Sequence, residues 1–427
     1  MGHKVKADPG GEGGDPRIRI VSNIFISFLG AGVLGLPYAF KESGLLEGAI
    51  VMTFVSIISV KAMLLIVDAK YLILAGRKRA QELPLLKNED SVEDGLIKEV
   101  INDEISYSDV GDAAFGHAGR LTIDTALLVS QLGFCCAYLI FISETLSSYF
   151  TVISKTQCLF LMLPPLFGLT LIKDLSQLAP FSLIGQIFNF LAFAVVFWFD
   201  FDHLHLAANQ HRKEFSLSGF PFFFAVAIYC FEGAGMILSL ENSVDDGYKP
   251  NFKKTFIKTI AVVTFIYISF GASGYLSYGH ETKDIITLNL PHVDGTIDFA
   301  TLVKVCLCFS LFCTYPVMIF PVSELLEKKF LVSSSSSPVS GLLIRGGIVT
   351  MTGVVVKVVP RFADLMALIG ASCCTLLAFI IPASCHLKLF SKEITKKQIM
   401  IDYLIFGIGI IGAILGTTDA LKKVISS

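Results

Sequence analysis

The chain carries, at positions 28–40, the string FLGAGVLGLPYAF, which lies in an apolar stretch long enough to cross a bilayer. Its middle contains Gly30, Gly32 and Gly35, followed closely by Pro37. In a helix interior each Gly costs about 0.8–1 kcal/mol relative to Ala and Pro costs about 3 kcal/mol, so an unbroken helix is disfavoured here. Peptide groups that such a break frees inside lipid need partners, which a cavity or a ligand supplies. The alternative is close packing of small residues against a neighbouring helix.

A second string of the same kind, YCFEGAGMILSLEN, occupies positions 229–242 in the predicted sixth span. Gly233 and Gly235 loosen the helix, and Glu232 places a carboxyl near the middle of the membrane. An ionisable group at that depth is expensive and indicates function, although a neutral glutamic acid that binds an exposed carbonyl would have a purely structural role. Two breaks five spans apart, in helices inserted in opposite directions, predict two inverted five-helix repeats with the substrate site at their interface.

The composition supports a membrane protein. Of 427 residues, 53% are hydrophobic and 16% are charged, whereas soluble domains carry roughly 25% charged residues. The ten cysteines lie in or beside apolar stretches and are interpreted as small packing residues rather than disulfide partners or metal ligands. The predicted fold is an all-α polytopic membrane protein with about eleven transmembrane helices. These spans are Val21–Phe40, Leu45–Val67, Leu121–Leu146, Cys158–Leu171, Phe181–Phe199, Phe220–Leu240, Phe256–Leu276, Phe299–Pro321, Leu342–Val359, Leu365–Leu387 and Ile401–Leu415.

The distribution of Lys and Arg predicts the orientation, because cytosolic loops carry most of the basic residues. With the N-terminus in the cytosol, most of them fall on the cytosolic side, and eleven spans place the C-terminus in the lumen. The first residues are polar and Gly-rich, so no cleavable signal peptide is expected. The predicted organisation is a cytosolic tail (1–19), a first repeat (20–200) with a cytosolic loop (75–120), a second repeat (201–387), and an eleventh helix with the C-terminus (388–427).

Both glycine-rich strings, together with three further ones, are similar to the amino acid/auxin permease family, and most of all to its plant vacuolar neutral amino acid transporters. The three are SQLGFCCAYLIFI (130–142), GYLSYGHETKDIITLNL (274–290) and FADLMALIGASCCTLLAFIIPA (362–383). The resemblance implies a ten-helix inverted-repeat core with discontinuous first and sixth helices and one extra helix. It also implies secondary transport of amino acids, coupled in many members to protons, without a cofactor. A vacuolar or other acidic endomembrane location follows from the same likeness.

Carried over by position, the resemblance also implies the substrate contacts. The broken first helix would present N–H groups of Gly30, Ala31, Gly32 and Val33 to a substrate carboxylate. Carbonyls near Tyr229, Phe231 and Glu232 would receive the ammonium group, and Gly233 is a further expected substrate contact. Ser130, Gln131 and Thr314 could face the site, or they could only bind neighbouring helices. Because no Arg or Asp lines these strings, the expected substrate is a small neutral amino acid.

The sequence leaves open which residue would carry a coupled proton. Animal proton-coupled relatives carry a His at the place that Asn23 occupies here, and Asn cannot titrate. Either another group carries the proton or transport is not strictly proton-driven. Glu232 is the first alternative candidate and Asp124 a lesser one. Lys61 is a further candidate, although its chain more simply reaches the cytosolic interface.

Other function classes lack their motifs. The sequence has no Walker-type loop, no HExxH and no visible catalytic domain, so an ATP-driven pump or an enzyme is not expected. Protons, lipid and a small amino acid are the expected partners, and nucleic acid is not. The leading hypothesis is a carrier that moves substrate toward the cytosol. The alternative is an amino-acid-sensing receptor with little net flux that signals through the 75–120 loop, and a channel is third.

Overall fold

The computed structural model describes residues 16–85, 105–149, 153–172, 175–203, 212–245, 247–290, 299–330, 338–391 and 394–426. Over these ranges the protein consists of α-helices, short 3₁₀ and π segments and connecting turns, with no β-strand. The α-helices are α1 (Pro16–Phe28), α2 (Leu36–Ser43), α3 (Leu45–Leu85), α4 (Tyr107–Phe115), α5 (His117–Tyr149), α6 (Lys155–Thr170), α7 (Leu175–His203), α8 (Phe220–Cys230), α9 (Ile237–Asn242), α10 (Phe252–Tyr278), α11 (Phe299–Phe330), α12 (Pro338–Val358), α13 (Phe362–Ile369), α14 (Ile381–Leu389) and α15 (Lys396–Ser426).

Within the described ranges, eight helical segments are long and apolar enough to cross a membrane. A ninth span is formed by α1 and the segment that follows it, which meet at a bend of 50°. The predicted fourth and sixth spans correspond to shorter helices, α6 and the pair α8 and α9. The all-α polytopic fold expected from the sequence is therefore confirmed.

The first span is broken where its glycines predict. Helix α1 ends at Phe28, a 3₁₀ turn covers Ala31–Gly35, and α2 begins at Leu36 with Pro37 in its first turn. Proline is tolerated there because the first N–H groups of a helix have no intrahelical partner. The same residue that disfavours a continuous helix thus starts the second half of the span.

The sixth span is broken in the same way, since α8 ends at Cys230 and α9 begins at Ile237. The six intervening residues include Gly233 and Gly235 and have no regular α-helix. In each half of the protein a broken helix is followed by four further spans, which is the predicted five-plus-five arrangement with discontinuous first and sixth helices.

The tenth span, predicted as Leu365–Leu387, is one continuous helical segment, Phe362–Leu389, but its middle is not a regular α-helix. Between α13 and α14 the backbone adopts π-helical turns at Gly370–Cys374 and Leu376–Ile380, named here the π segment. At Gly370 an added Cβ would overlap the carbonyl oxygen of Ala225 in α8. The tenth and sixth spans therefore touch backbone to backbone, and π turns of this kind are frequent at functional sites.

The loop predicted at 75–120 is shortened from both ends by helices. Helix α3 continues to Leu85, and α4 begins after Ser106, whose side chain and that of Asp109 form a capping box. The buried hydroxyl of Tyr107 donates to the Leu377 carbonyl in the π segment, 2.8 Å away. Helix α4 is thus packed against the membrane core, while residues 86–104 lie outside the described ranges.

Helix ends meet at two faces of the bundle. The N-face is the side on which α1 begins, and there Asp68 of α3 binds Lys253 of α10. On the same face Lys70 of α3 binds Glu241 and Asn242 at the end of α9, and both members of the Lys70–Glu241 pair are buried. The second half of the broken sixth span is thereby anchored to the second span.

The opposite side, the far face, anchors the second half of the first span. Arg361 donates to the Tyr38 hydroxyl across 2.8 Å, which joins α2 to the start of the tenth span. Lys41 donates to the Thr282 carbonyl at 2.9 Å. Each broken helix therefore has one half fixed at one face while its interruption lies between the faces.

We expect Gly370→Ala to lower the stability of the protein, because its Cβ would meet backbone rather than a movable side chain. Overpacking of this kind typically costs about 1–3 kcal/mol. The measurement is the fraction of monodisperse protein that remains in detergent after heating. Gly407→Ala is the matched control, since a Cβ there finds nothing within 4 Å. Equal heat resistance of the two variants would contradict the close contact between α8 and the π segment.

Candidate functional site

One tyrosine joins the two breaks. The hydroxyl of Tyr267 in α10 lies 2.5 Å from the carbonyl oxygen of Phe28 and 3.2 Å from that of Cys230. These two carbonyls belong to the last residues of α1 and α8, whose intrahelical partners are lost where each helix ends. Tyr267 is fully buried and its ring packs on Phe231 with centroids 5.2 Å apart. The interruptions therefore meet at one place inside the bundle.

The first break offers hydrogen-bond donors. Gly30 N–H donates to Phe28 and Val33 N–H to Gly30, at 2.9 and 3.2 Å. The N–H groups of Ala31 and Gly32 donate to no other residue in the part of the chain that the structure describes. Two adjacent free N–H groups at the start of a helical turn have the geometry and polarity to accommodate a carboxylate. The sequence predicted Gly30, Ala31, Gly32 and Val33 as donors, and the free groups are the middle two.

The sixth-span break offers acceptors. The Tyr229 carbonyl accepts a weak hydrogen bond of 3.4 Å from Glu232 N–H. The carbonyls of Phe231 and Glu232 accept none from any described residue, so both can receive an external donor such as an ammonium group. Of the three carbonyls predicted around this position, the latter two are therefore the ones with open capacity.

The Glu232 side chain folds back on its own break. Its carboxyl group accepts from the backbone N–H groups of Ala234 and Gly235, which lie just before α9. The oxygen Oε2 is buried and has no hydrogen-bond partner among the described residues. Tyr107 and the adjacent Cys373 and Cys374 of the π segment lie within electrostatic reach of this carboxyl. Glu232 thus connects the sixth break with the tenth span and retains one open acceptor.

The space beside the first break is shaped by its glycines. An added Cβ at Gly32 would lie 3.1 Å from the Tyr229 ring and 3.3 Å from Cys230 Sγ, so this residue is in tight contact with α8. At Gly233 an added Cβ would overlap the Phe28 ring. Gly30 differs, because a Cβ there would meet nothing within 4 Å. The break therefore has one packed side and one open side.

Helix α5, the third span, packs one face against the sixth-span break. Phe134 packs edge-on against Tyr229 with centroids 4.9 Å apart, and an added Cβ at Gly235 would lie 2.8 Å from the Leu127 side chain. Ser130 and Gln131 lie between these two contacts at helical spacing, so they share the face that looks toward the sixth-span break. Ser130 is buried and donates to its own Leu127 carbonyl at 2.9 Å.

Two other predicted residues, Thr314 and Asn23, bind within their own helices. Thr314 in α11 donates to the Ser310 carbonyl of the same helix at 2.8 Å. Its neighbour Tyr315 accepts from Cys135 of α5 through its carbonyl, which places Thr314 beside the third span. Asn23 lies half-buried in α1, and its carbonyl accepts from Ser27 at 2.8 Å. No contact with the free groups at the breaks is recorded for Thr314 or Asn23 within the described residues.

Asp124 lies one turn toward the N-face from the α5 side chain that touches the sixth break. Its carboxylate accepts from Ser108 of α4. Nearby, Arg120 binds Asp109 across 2.5 Å. Burial raises the pKa of Asp109, but hydrogen bonds from Ser106 and Arg120 outweigh burial and hold the pKa below its ordinary value. Asp124 therefore belongs to a polar cluster that ties α4 to α5.

Cavities open at both faces of the bundle. The far-face cavity, about 350 Å³, is bordered by Glu144, Tyr149 and Lys304. The N-face cavity, about 490 Å³, is bordered by Asp68 and His386 among other residues. Neither cavity is lined by a residue of the two breaks.

Three features of the site were missed by the sequence reasoning: Tyr267, Phe134 and the π segment. A signal existed for Tyr267, because a buried tyrosine hydroxyl in an otherwise apolar span requires a polar partner. Phe134 is one of 36 phenylalanines, and nothing in its local sequence distinguishes it. The π segment follows from contact with α8 and has no local sequence pattern.

Comparison with known proteins gives one family. The model described as "Transmembrane amino acid transporter protein" matches residues 17–82 and 96–422. The matched ranges include both breaks, the third span and the tenth span. The candidate site thus lies wholly within the part of the chain that the family describes.

Individual relatives match over nearly the whole length. The chain is 34% identical over 415 residues to "Amino acid transporter AVT3A" of Arabidopsis thaliana, covering 95% of this chain and 89% of that protein. It is 31% identical over 443 residues to "Amino acid transporter ANT1" of the same plant, covering 98% and 96%. A Drosophila melanogaster protein named "Proton-coupled amino acid transporter-like protein pathetic" is 25% identical over 433 residues, covering 95% and 85%.

Among solved structures, a match covers 97% of this chain and 98% of a Na⁺-coupled sialic acid symporter in a substrate-bound outward-open state. The sequence identity is 14% and the TM-score is 0.44. Residue roles at the site therefore rest on the geometry of this chain.

Replacing Tyr267 by Phe tests the link between the breaks, because it removes the hydroxyl and keeps the ring. A buried carbonyl that loses its hydrogen bond costs about 1–3 kcal/mol, and about 1.4 kcal/mol corresponds to a tenfold change in affinity. We expect the half-saturating substrate concentration to rise roughly tenfold in the variant. Uptake into proteoliposomes at graded substrate concentrations measures it.

The control for this substitution is Tyr275→Phe, on the same helix and equally buried, whose hydroxyl accepts from Lys213 N–H at 3.0 Å, away from both breaks. It should leave the half-saturating concentration unchanged. Equal effects of the two substitutions, or no effect of Tyr267→Phe, would contradict a role of this hydroxyl in forming the site.

Proposed function

Because the chain belongs to the family of transmembrane amino acid transporters, we propose that it is a proton-coupled secondary carrier of small neutral amino acids. The observation that carries the proposal is the pairing of free donors with free acceptors at two joined breaks. The N–H groups of Ala31 and Gly32 suit a carboxylate, and the carbonyls of Phe231 and Glu232 suit an ammonium group. Every α-amino acid presents these two charges on neighbouring atoms.

The proposed preference for small neutral substrate side chains rests on the residues that surround the first break. The rings of Tyr229 and Phe134 and the thiol of Cys230 surround the packed side of the first break. On its open side, beside Gly30, there is room but no basic side chain among the described contacts. A charged side chain would lose its hydration there without gaining a partner. Alanine or proline is therefore the substrate size that we propose.

Alternating access explains why each break has one anchored half. The second half of the sixth span is held at the N-face by Lys70, and the second half of the first span is held at the far face by Arg361. The remaining half of the first span, α1, can move relative to these anchors around a central ligand. The rocking of repeats about a fixed midplane site is how broken-helix carriers work.

The direction of transport that we propose is from the far face to the N-face, with the N-face in the cytosol. The excess of basic residues on N-face segments supports this orientation. The sequence likeness to plant vacuolar carriers supports an acidic compartment on the other side. A lumen more acidic than the cytosol would then drive substrate outward from the compartment.

Gly30→Leu tests the position of the substrate. A side chain at this place finds open space, and the Gly30 backbone (φ −110°) is accessible to any L-residue, so the variant should fold. The added side chain would occupy the space proposed for the substrate, so saturable uptake of labelled alanine into proteoliposomes with an imposed pH gradient should be lost. Uptake and thermal stability are measured on the same preparations.

Gly347→Leu in α12 is the matched control, because a Cβ there also meets nothing within 4 Å. Its uptake should equal that of the unmodified chain. Normal alanine uptake by Gly30→Leu would move the substrate away from the first break. Tight alanine binding without any uptake by the unmodified chain would favour the sensor over the carrier.

A further inference from the structure

A buried carboxyl lies outside the substrate site, between the fifth and seventh spans. Asp200 is three residues from the far-face end of α7, and its exposed fraction is 0%. No salt bridge joins it to any described residue, and its Oδ1 atom has no hydrogen-bond partner among them. An unpaired charge in this position would be strongly disfavoured, so we expect the carboxyl to be protonated in this conformation.

The partners of Asp200 can serve either protonation state. Ser273 Oγ lies 3.1 Å from Asp200 Oδ2 and also 3.1 Å from the Phe270 carbonyl oxygen, yet a serine has one proton to donate. When the carboxyl is protonated, it donates to Ser273, which donates to Phe270. When the carboxyl is ionised, Ser273 turns and donates to it instead. Rotation of one hydroxyl therefore accommodates gain and loss of a proton.

None of the other polar groups near Asp200 that the structure describes forms a salt bridge with its carboxyl. On α10, Ser277 lies 2.5 Å from the Asp200 backbone carbonyl, and the Tyr278 phenol is within electrostatic reach. Arg212 donates to the Leu276 carbonyl at 2.6 Å. On α11, the other helix packed on α7, Lys304 lies against the Leu290 carbonyl and the Tyr149 ring. On α7 itself, Asp202 is exposed at the far face. Asp200 itself lies two residues before Asp202 and three before the helix end.

Helix α10 connects Asp200 to the substrate site mechanically. One face of it carries Ser273, which binds Asp200, and less than two turns away it carries Tyr267, which binds both breaks. Between and beside these residues α10 packs closely on α2. An added Cβ at Gly274 would lie 2.7 Å from the Pro37 side chain, and one at Gly271 would overlap the Phe40 ring. A shift of α10 caused at Ser273 must therefore displace the first span.

We propose that Asp200 binds and releases the proton that is coupled to amino acid transport, and that Ser273 relays its protonation state through α10 to the broken first and sixth spans. The inference rests on the proposed function, because it assigns to Asp200 the titratable role in proton coupling that Asn23 cannot take. The competing candidate is Glu232, whose carboxyl is already engaged by the backbone before α9.

The test separates two activities of the full chain in proteoliposomes, with alanine as the probe. Exchange of labelled for unlabelled alanine needs no net proton release, whereas an alanine gradient moves protons only if the two are coupled. In Asp200→Asn we expect exchange to persist and alanine-driven proton movement, followed with an entrapped pH dye, to be lost. Asp202→Asn, exposed two residues further on, should retain both activities.

The outcomes distinguish this inference from the proposed function. If the unmodified chain exchanges alanine but moves no protons, proton coupling is absent and both the coupling and the assignment of Asp200 fall. If the unmodified chain moves protons and Asp200→Asn still does, the assignment of Asp200 alone is wrong. Loss of proton movement with retained exchange in Glu232→Gln, but not in Asp200→Asn, would transfer the role to Glu232.

A second variant covers the possibility that Asp200→Asn does not fold. Ser273→Ala keeps the carboxyl and removes the hydroxyl that responds to it. We expect the pH at which alanine-driven proton movement is half-maximal to shift, while the exchange rate at saturating alanine stays the same. An unchanged pH dependence would overturn the relay through Ser273, and loss of exchange together with proton movement would show a merely structural role.

Discussion

A peptide group that leaves a helix inside lipid must find another partner, and this requirement organises the protein. The first and sixth spans both end a helix in mid-membrane, and the resulting free carbonyls of Phe28 and Cys230 share the hydroxyl of Tyr267. The groups that no residue satisfies, N–H on one break and C=O on the other, have the polarity that a zwitterion needs. On the proposed function, a bound amino acid would supply the partners that the two breaks lack.

The seventh span gains a central role from its contacts. Its Tyr267 contacts both breaks, its Gly271 and Gly274 pack on the first span, and its Ser273 contacts the fifth span. Because tightly packed helices move as rigid units rather than deform continuously, local changes at any of these points are shared by the others. This gives the bundle a physical path between Asp200, near one face, and the two breaks at the centre.

The sequence was sufficient for the fold class, the two interrupted spans and the family, because glycine, proline and long apolar stretches act locally and leave a direct record. It was not sufficient for Tyr267, Phe134 or Asp200, whose importance depends on which helices meet. The tenth span was predicted as a span, but its π segment, which lies where Gly370 contacts α8, has no local sequence signal. Of the expected donors, only Ala31 and Gly32 have free N–H groups, because the turn itself uses those of Gly30 and Val33.

The Tyr267 hydroxyl has a single proton and two carbonyls within reach, at unequal distances. It cannot donate to both at full strength, and Phe28, the nearer acceptor, also receives Gly30 N–H at 2.9 Å. A swing of the hydroxyl from Phe28 to Cys230 would therefore leave neither carbonyl without a donor. The contact that joins the two helix ends thus tolerates movement of one end relative to the other.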